Sequence, residues 1–250
     1  MIEIQSVTLP QLTGDAVRRA YIYIPEAARY SGQRFPVLYM FDGHNVFFDE
    51  HATYGKSWGM GEYLDRTGSP LIVAAVECNR APDFSRLSEY SPYDFSSERF
   101  GDIKGRGALT MDWLVNSFKP AVDRSYPTLP DRDRTFIAGS SMGGLMSLYA
   151  VCAFSDIFSR AAALSPSLGF GAGTLEKMVR ESGIREDTVI YMDIGQAEMD
   201  WPGAASDFRR FCGLLLEKHV LLTARVVPGG THCEASWEKQ IPFFVPALLY

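Results

Sequence analysis

The chain has 250 residues, 46% hydrophobic and 22% charged, which suits a water-soluble globular protein and leaves room for one large α/β domain. Its formal net charge is −6 with no basic run, so nucleic acid is not an expected partner, and no apolar stretch approaches the ~20 residues of a membrane helix. The opening MIEIQSVTLPQLTGDAV lacks a basic segment followed by an apolar one, and the 4 cysteines show no metal spacing, so a cytoplasmic protein with reduced thiols and no bound metal is expected.

Residues 2–9 and 17–24 alternate apolar and polar side chains around Gly14-Asp15 and read as an antiparallel hairpin. Residues 35–41 (FPVLYMF) and 71–76 (LIVAAV) are continuous apolar runs, as expected of strands buried on both faces. Further strands are expected at 135–138, 161–164, 189–194 and 222–227. Helical patterns fall between and after them, at 109–118, 145–154, 175–181, 208–219 and 236–249. Strands alternating with helices imply a mostly parallel sheet covered on both faces, with the leading hairpin adding antiparallel strands at one edge. No repeat or linker interrupts the pattern, so residues 1–250 are read as one domain. Two segments, 42–58 and 77–105, are longer than ordinary connections. The second carries Phe84, Tyr90, Tyr93, Phe95 and Phe100, which either line a binding site or pin the loop to the body. Both segments leave the carboxyl ends of parallel strands, where ligands bind in open α/β sheets.

Between the strand at 135 and the helix at 145 lies Gly139-Ser140-Ser141-Met142-Gly143, a match to G-x-S-x-G. That pattern describes a serine on a sharp strand-to-helix turn, whose neighbours two residues away on either side have room only for the smallest side chain. Gly139 and Gly143 stand at those positions relative to Ser141, whereas Ser140 would have Ala138 and Met142. A serine nucleophile needs a base, usually a histidine held by a carboxylate. Of His44, His51, His219 and His232, the last is the best base, because it follows the last strand in the flexible run Pro228-Gly229-Gly230-Thr231. The acid is expected between serine and histidine in chain order, on a loop after a strand. Asp193 falls inside a strand, while Glu198 and Asp200 lie beyond Gly195, and order alone leaves those two open. The oxyanion of the tetrahedral intermediate needs preorganised N–H donors. One is expected from Met142, after the nucleophile, and one from His44 in the Asp42-Gly43-His44 turn after the first buried strand, with the His44 imidazole uninvolved.

These residues resemble the esterase D and enterochelin-esterase branch of the α/β-hydrolase family. The matching pieces are YMFDGHN at 39–45, Trp58, RLSEYSP at 86–92, Gly105–Gly107, GSSMGGL at 139–145, ALSPS at 163–167, the G-x-x-E at 195–198 and the segment 230–237 with its G-x-H. They run from about residue 17 to the C-terminus. The resemblance implies an α/β-hydrolase fold, with Ser141 as nucleophile, His232 as base and Glu198 as acid. It also implies a small-molecule ester as partner, with no cofactor. The turn reads Asp-Gly where many hydrolases have His-Gly. Reach also favours Glu198. Gly195 is expected to take a conformation closed to other residues, Glu198 follows three residues on, and Asp200 precedes Trp201-Pro202, which suits a helix entrance.

The reaction expected is carboxylic ester hydrolysis through an acyl-enzyme on Ser141, with a preference for short or aromatic acyl groups, since no segment reads as a long apolar lid. Trp58, the 77–105 loop and Phe170 are expected to wall the site. Acyl transfer or thioester hydrolysis at the same serine is the alternative. More distant is a non-catalytic binding module, which in such folds usually lacks one of the three residues.

Overall fold

The computed structural model describes residues 1–30, 32–81 and 85–250, so Phe84 lies outside them. The described residues form ten strands: β1 (Ile2–Thr8), β2 (Val17–Tyr23), β3 (Val37–Met40), β4 (Ile72–Val76), β5 (Phe95–Ser97), β6 (Gly101–Ile103), β7 (Thr135–Ser140), β8 (Arg160–Leu164), β9 (Val189–Gly195) and β10 (Leu221–Val227). Eight of them make one sheet in the order β1-β2-β4-β3-β7-β8-β9-β10, and β5 and β6 pair separately. β1 is antiparallel to β2 and β2 to β4 at one edge, while β4, β3, β7, β8, β9 and β10 run parallel to one another. This is the α/β-hydrolase fold expected above, with the hairpin where it was expected.

The side-chain alternation of each strand divides the core into two layers. In β8, Ala161 and Ala163 face one layer and Ala162 and Leu164 the other. The first layer is filled from the helices Gly107–Trp113, Met142–Ala153, Ala172–Glu181 and Ala204–Glu217, which contribute Met111, Leu145, Leu175 and Phe211. The second is filled from Met60–Thr67, Glu234–Glu238 and Ile241–Leu249, through Leu64, Trp237 and Phe244. Most of Met142–Ala153 is buried, so it reads as apolar all round rather than amphipathic. No helix among the described residues is long and apolar enough to cross a membrane.

Several boundaries differ from the sequence reading. The hairpin is closed by a helical turn, Pro10–Thr13, rather than by a bare two-residue turn. The helix expected to stop at Phe118 continues to Ser125, passing Pro120 through a π-helical segment at Leu114–Phe118 that absorbs the missing N–H. The last expected helix is two helices, broken ahead of Pro242. The 77–105 loop has structure of its own, the helix Ser85–Glu89 and the β5–β6 pair, and buried Tyr90 and Phe95 pin it to the body.

The chain leaves β3 for β4 on one side and later returns to β7 on the other, so β3 and β7 are parallel neighbours with the order reversing between them. The carboxyl ends of adjacent strands at such a reversal frame a crevice. Asp42 follows β3 there, and Ser141 follows β7.

Candidate active site

Ser141 sits between β7 and the helix Met142–Ala153 with φ 57° and ψ −121°, a strained backbone for a residue with a side chain. A Cβ on Gly139 would lie 2.7 Å from the Gly143 carbonyl carbon, so strand and helix can approach only because residue 139 has none. Neighbouring chain ends hold the turn: Ser141 N–H donates to Leu164 O at 2.9 Å, and Ser167 N–H donates to Ser141 O at 3.0 Å. The Ser141 Oγ is paired with Ser167 Oγ at 3.3 Å. Ser140, by contrast, ends β7 and is buried.

His232 and Glu198 come from the loops after β10 and β9. The two loops meet back to back at Gly195 and Gly230, where a Cβ on Gly195 would lie 2.6 Å from the Gly230 backbone. Gly195 has φ −66°, an ordinary conformation, so close approach and not a positive φ demands glycine there. Glu198 then lies in the single helical turn Gln196–Asp200 and is 3% exposed, and its Oε2 is 2.6 Å from His232 Nδ1. Its Oε1 accepts from Ser165 Oγ at 2.6 Å and from Gly195 N–H at 2.9 Å. Burial pushes the Glu198 carboxyl up, but the hydrogen bonds from His232, Ser165 and Gly195 outweigh it and hold the group below the usual carboxylate range. An ionised Glu198 requires the proton of His232 on Nδ1, which leaves Nε2 as the basic nitrogen. Trp201 and Trp237 flank the imidazole, with ring centroids at 5.3 and 5.1 Å. Asp200 is exposed at the far end of the turn, and Asp193 is buried in β9.

The Met142 N–H opens a helix and so has no intrahelical partner. His44 lies in the single turn Gly43–Asn45 after β3. Its imidazole points away into the protein, 2% exposed, with Nε2 3.0 Å from Thr53 Oγ1, and burial pushes its pKa down. The turn is held from the 77–105 segment. Arg86 Nε and NH2 donate to Asp42 Oδ1 and Oδ2 at 2.7 and 2.6 Å, and Asp42 N–H donates to Tyr90 Oη at 3.2 Å.

Two cavities meet at Ser141, His232 and Arg86. One, of about 370 Å³, is walled by Leu87, Phe100, Leu168, Phe170, Ile194 and Trp201. The other, of about 450 Å³, is more polar, with Asn45, Thr53, Asn79, Arg80 and Glu234. Phe170 thus lies at the site, stacked on Phe95 at 4.8 Å. Trp58 does not. It is 3% exposed and packs on Trp237 at 6.0 Å and Phe244 at 6.2 Å, because its N–H donates to Asn45 O and draws the 42–58 loop inward onto the second core layer.

Asp42, His44 and Cys78 bring ligand atoms within 4.8 Å of one another, all buried, a cluster invisible in the scattered cysteine spacing. Both Asp42 oxygens are taken by Arg86, and burial pushes the Cys78 thiol well above its ordinary value, so a cation there would have to displace the guanidinium and deprotonate the thiol. The group fits an ion pair with a neighbouring thiol better than a metal nest. Arg86 and Ser165 stood within the motifs quoted from the sequence, yet nothing local marked their partners. Trp201 carried no signal beyond its place beside Pro202.

The chain matches the family model described as "Putative esterase" over residues 15–242. It is 23% identical over 184 residues to the protein YbbA of Bacillus subtilis (strain 168), covering 72% of this chain and 69% of that one. Among solved structures, a ferulic acid esterase superposes with a TM-score of 0.75 at 17% identity, covering 99% of this chain and 97% of that one. The siderophore hydrolase EstA of Aspergillus nidulans superposes with a TM-score of 0.74 at 17% identity, covering 98% and 94%. These likenesses at low identity carry the fold, and the family match carries the class. The chain belongs to this esterase family and is a serine ester hydrolase on the α/β-hydrolase fold.

Proposed function

We propose that the protein hydrolyses a small or aromatic carboxylic ester through an acyl-enzyme on Ser141. His232 Nε2 takes the Ser141 proton as Oγ attacks the carbonyl carbon, and the carbonyl oxygen, now negative, is met by the backbone N–H groups of Met142 and His44. The imidazolium that forms is stabilised by Glu198 on Nδ1 and returns its proton to the departing alcohol. Water then attacks the acyl carbonyl by the same route, and Ser141 is regenerated. In the free protein Ser141 Oγ is paired with Ser167 Oγ at 3.3 Å, and its hydrogen bond to His232 Nε2 forms when substrate fills the site, as is usual where catalytic hydrogen bonds are long without substrate.

The observation that carries this reading is the 2.6 Å contact between Glu198 Oε2 and His232 Nδ1, on a histidine that lines the same cavities as the strained Ser141. The aromatic wall of the 370 Å³ cavity supports a short or aromatic acyl group, and ferulic acid is the kind of acid named for one structural relative. Nitrophenyl esters of increasing chain length, beside feruloyl, acetyl-sugar and catecholate esters, test it. Fastest turnover is expected on acetyl to butyryl or on cinnamoyl-type esters. Fastest turnover on acyl chains of roughly twelve carbons or more would contradict it. An added alcohol that captures most of the acyl group would make the protein a transferase, and turnover confined to thioesters a thioesterase.

A further inference from the structure

We infer that Ser165 is a positioning residue for the catalytic acid: its hydroxyl, set on a strained backbone at the end of β8, fixes the rotation of the Glu198 carboxylate so that Oε2 faces His232. This role presupposes Glu198 as the acid.

Ser165 follows Leu164 at the carboxyl end of β8, with φ 41°, and is 4% exposed. Glycine is the unstrained residue for that backbone, and a side chain persists there only when its surroundings over-determine it. Its backbone is held from β9, where Ser165 N–H donates to Asp193 O and Oδ1, both at 3.1 Å. Its hydroxyl works in both directions. It accepts from Trp237 Nε1 at 3.1 Å, which orients its own proton toward Glu198 Oε1 at 2.6 Å. With the Gly195 N–H, two donors then converge on Oε1 and leave Oε2 for the histidine.

The terminal torsion of a glutamate is broad and roughly two-fold, so a carboxylate held by His232 alone could swing and spoil the imidazole's aim. Two donors on one oxygen remove that freedom. The arrangement closes into a ring, since Trp237 both donates to Ser165 and packs its edge on His232 at 5.1 Å and 80°. Serine is explained there by its hydroxyl, because the backbone alone would favour glycine.

The charged and titratable groups facing Glu198 are His232 on its own side and Asp193 beneath Ser165. Asp193 is itself bonded to Tyr191 Oη at 2.9 Å, and Arg225 reaches that phenol at 3.4 Å. Losing the Ser165 proton donor makes Glu198 a stronger base, which holds the His232 proton more tightly and moves the acid limb of the rate profile to higher pH.

Ser165→Gly suits φ 41° and removes the small CH2OH group, so folding is preserved, and Ser165→Ala, which keeps Cβ and removes only the hydroxyl, is a second variant. For Ser165→Gly, kcat is expected to fall roughly 10- to 100-fold with KM within about twofold, within the range a mispositioned histidine allows. The acid limb of kcat/KM should rise by roughly half a pH unit. In a Glu198→Gln background, Ser165→Gly should cause no further loss. Wild-type kcat with an unmoved acid limb in Ser165→Gly would overturn the role, and so would a further multiplicative loss in the double variant. Wild-type kcat in Glu198→Gln would instead remove the acid assignment itself, and this role with it.

Discussion

Arg86 grips Asp42 side-on, with Nε and NH2 on the two carboxylate oxygens at 2.7 and 2.6 Å, across 44 residues of chain. Asp42 is where the chain turns out of β3, in left-handed backbone at φ 56°, one residue before the turn that carries the His44 N–H. The pair therefore ties the loop proposed to supply an oxyanion donor to the segment that walls the cavities. Burial pushes the Asp42 carboxyl up, and Arg86 more than reverses it, so the group stays ionised.

Replacing Arg86 by lysine keeps the charge and loses the fork. A loss of roughly tenfold in kcat is expected, since a loosened oxyanion donor costs catalysis more than binding. Asp42→Asn should act in the same direction. The Asp42 carboxyl lies below its ordinary range, so its contribution to stability is full above about pH 4 and is lost as pH falls through its folded value. Steady-state kinetics on one activated ester would decide the matter. A variant with normal kcat and raised KM would mean that Arg86 serves substrate binding instead.

Ser141→Ala is expected to lose on the order of 10⁶-fold in kcat while remaining folded, and Ser140→Ala to be far milder. Ser141→Gly should be equally inactive yet more thermostable, by on the order of 1 kcal/mol, because glycine relieves a backbone at φ 57° and ψ −121°. Thermal melts beside kinetics check both. More than about a tenth of wild-type activity in Ser141→Ala would displace the nucleophile.

Phe170 and Trp58 should separate cleanly. Phe170→Ala removes a wall of the 370 Å³ cavity, so KM for aromatic acyl esters is expected to rise several-fold while acetyl esters change little. Trp58→Ala empties a core position between Trp237 and Phe244 and is expected to cost about 3–5 kcal/mol of stability. Trp58→Phe, which keeps most of the packing, should leave KM unchanged. A Trp58→Phe variant with altered acyl selectivity would return that residue to the site.

Asp193 predicts a pH-dependent stability. Burial first, and then the charge of Glu198, push its carboxyl up to about 7. An acid whose folded value lies above its unfolded one binds its proton more tightly when folded. Its contribution is therefore full below about pH 4 and declines as pH rises toward 7. Asp193→Asn, which can still accept from Ser165 N–H, should gain on the wild type in melting temperature between pH 5 and pH 8, by a few degrees. The same difference at both pH values would show that Asp193 does not change its proton in that range.

What the sequence alone determined here is local. Gly139, Ser141 and Gly143 announce the elbow by their spacing, and the constraint on Gly139 is local, against the Gly143 backbone, whereas a Cβ on Gly143 would meet Phe41 Cβ at 3.0 Å. The buried runs at β3, β4 and β7 are equally plain, since a strand covered on both faces must be apolar at every position. His232 was legible from its glycines after the last strand. The tertiary structure decided whatever depends on partners distant in the chain. Glu198 and Asp200 are two residues apart and chemically alike, and only the meeting of Gly195 with Gly230 points one at His232 and leaves the other in solvent. Trp58 looks like a binding-site aromatic until the 42–58 loop folds inward and buries it. Asp42 with Arg86, and Ser165 with Glu198, are pairs 44 and 33 residues apart. Their hydrogen bonds exist only where separate strand ends converge, and no spacing in a linear chain records which ends will be neighbours.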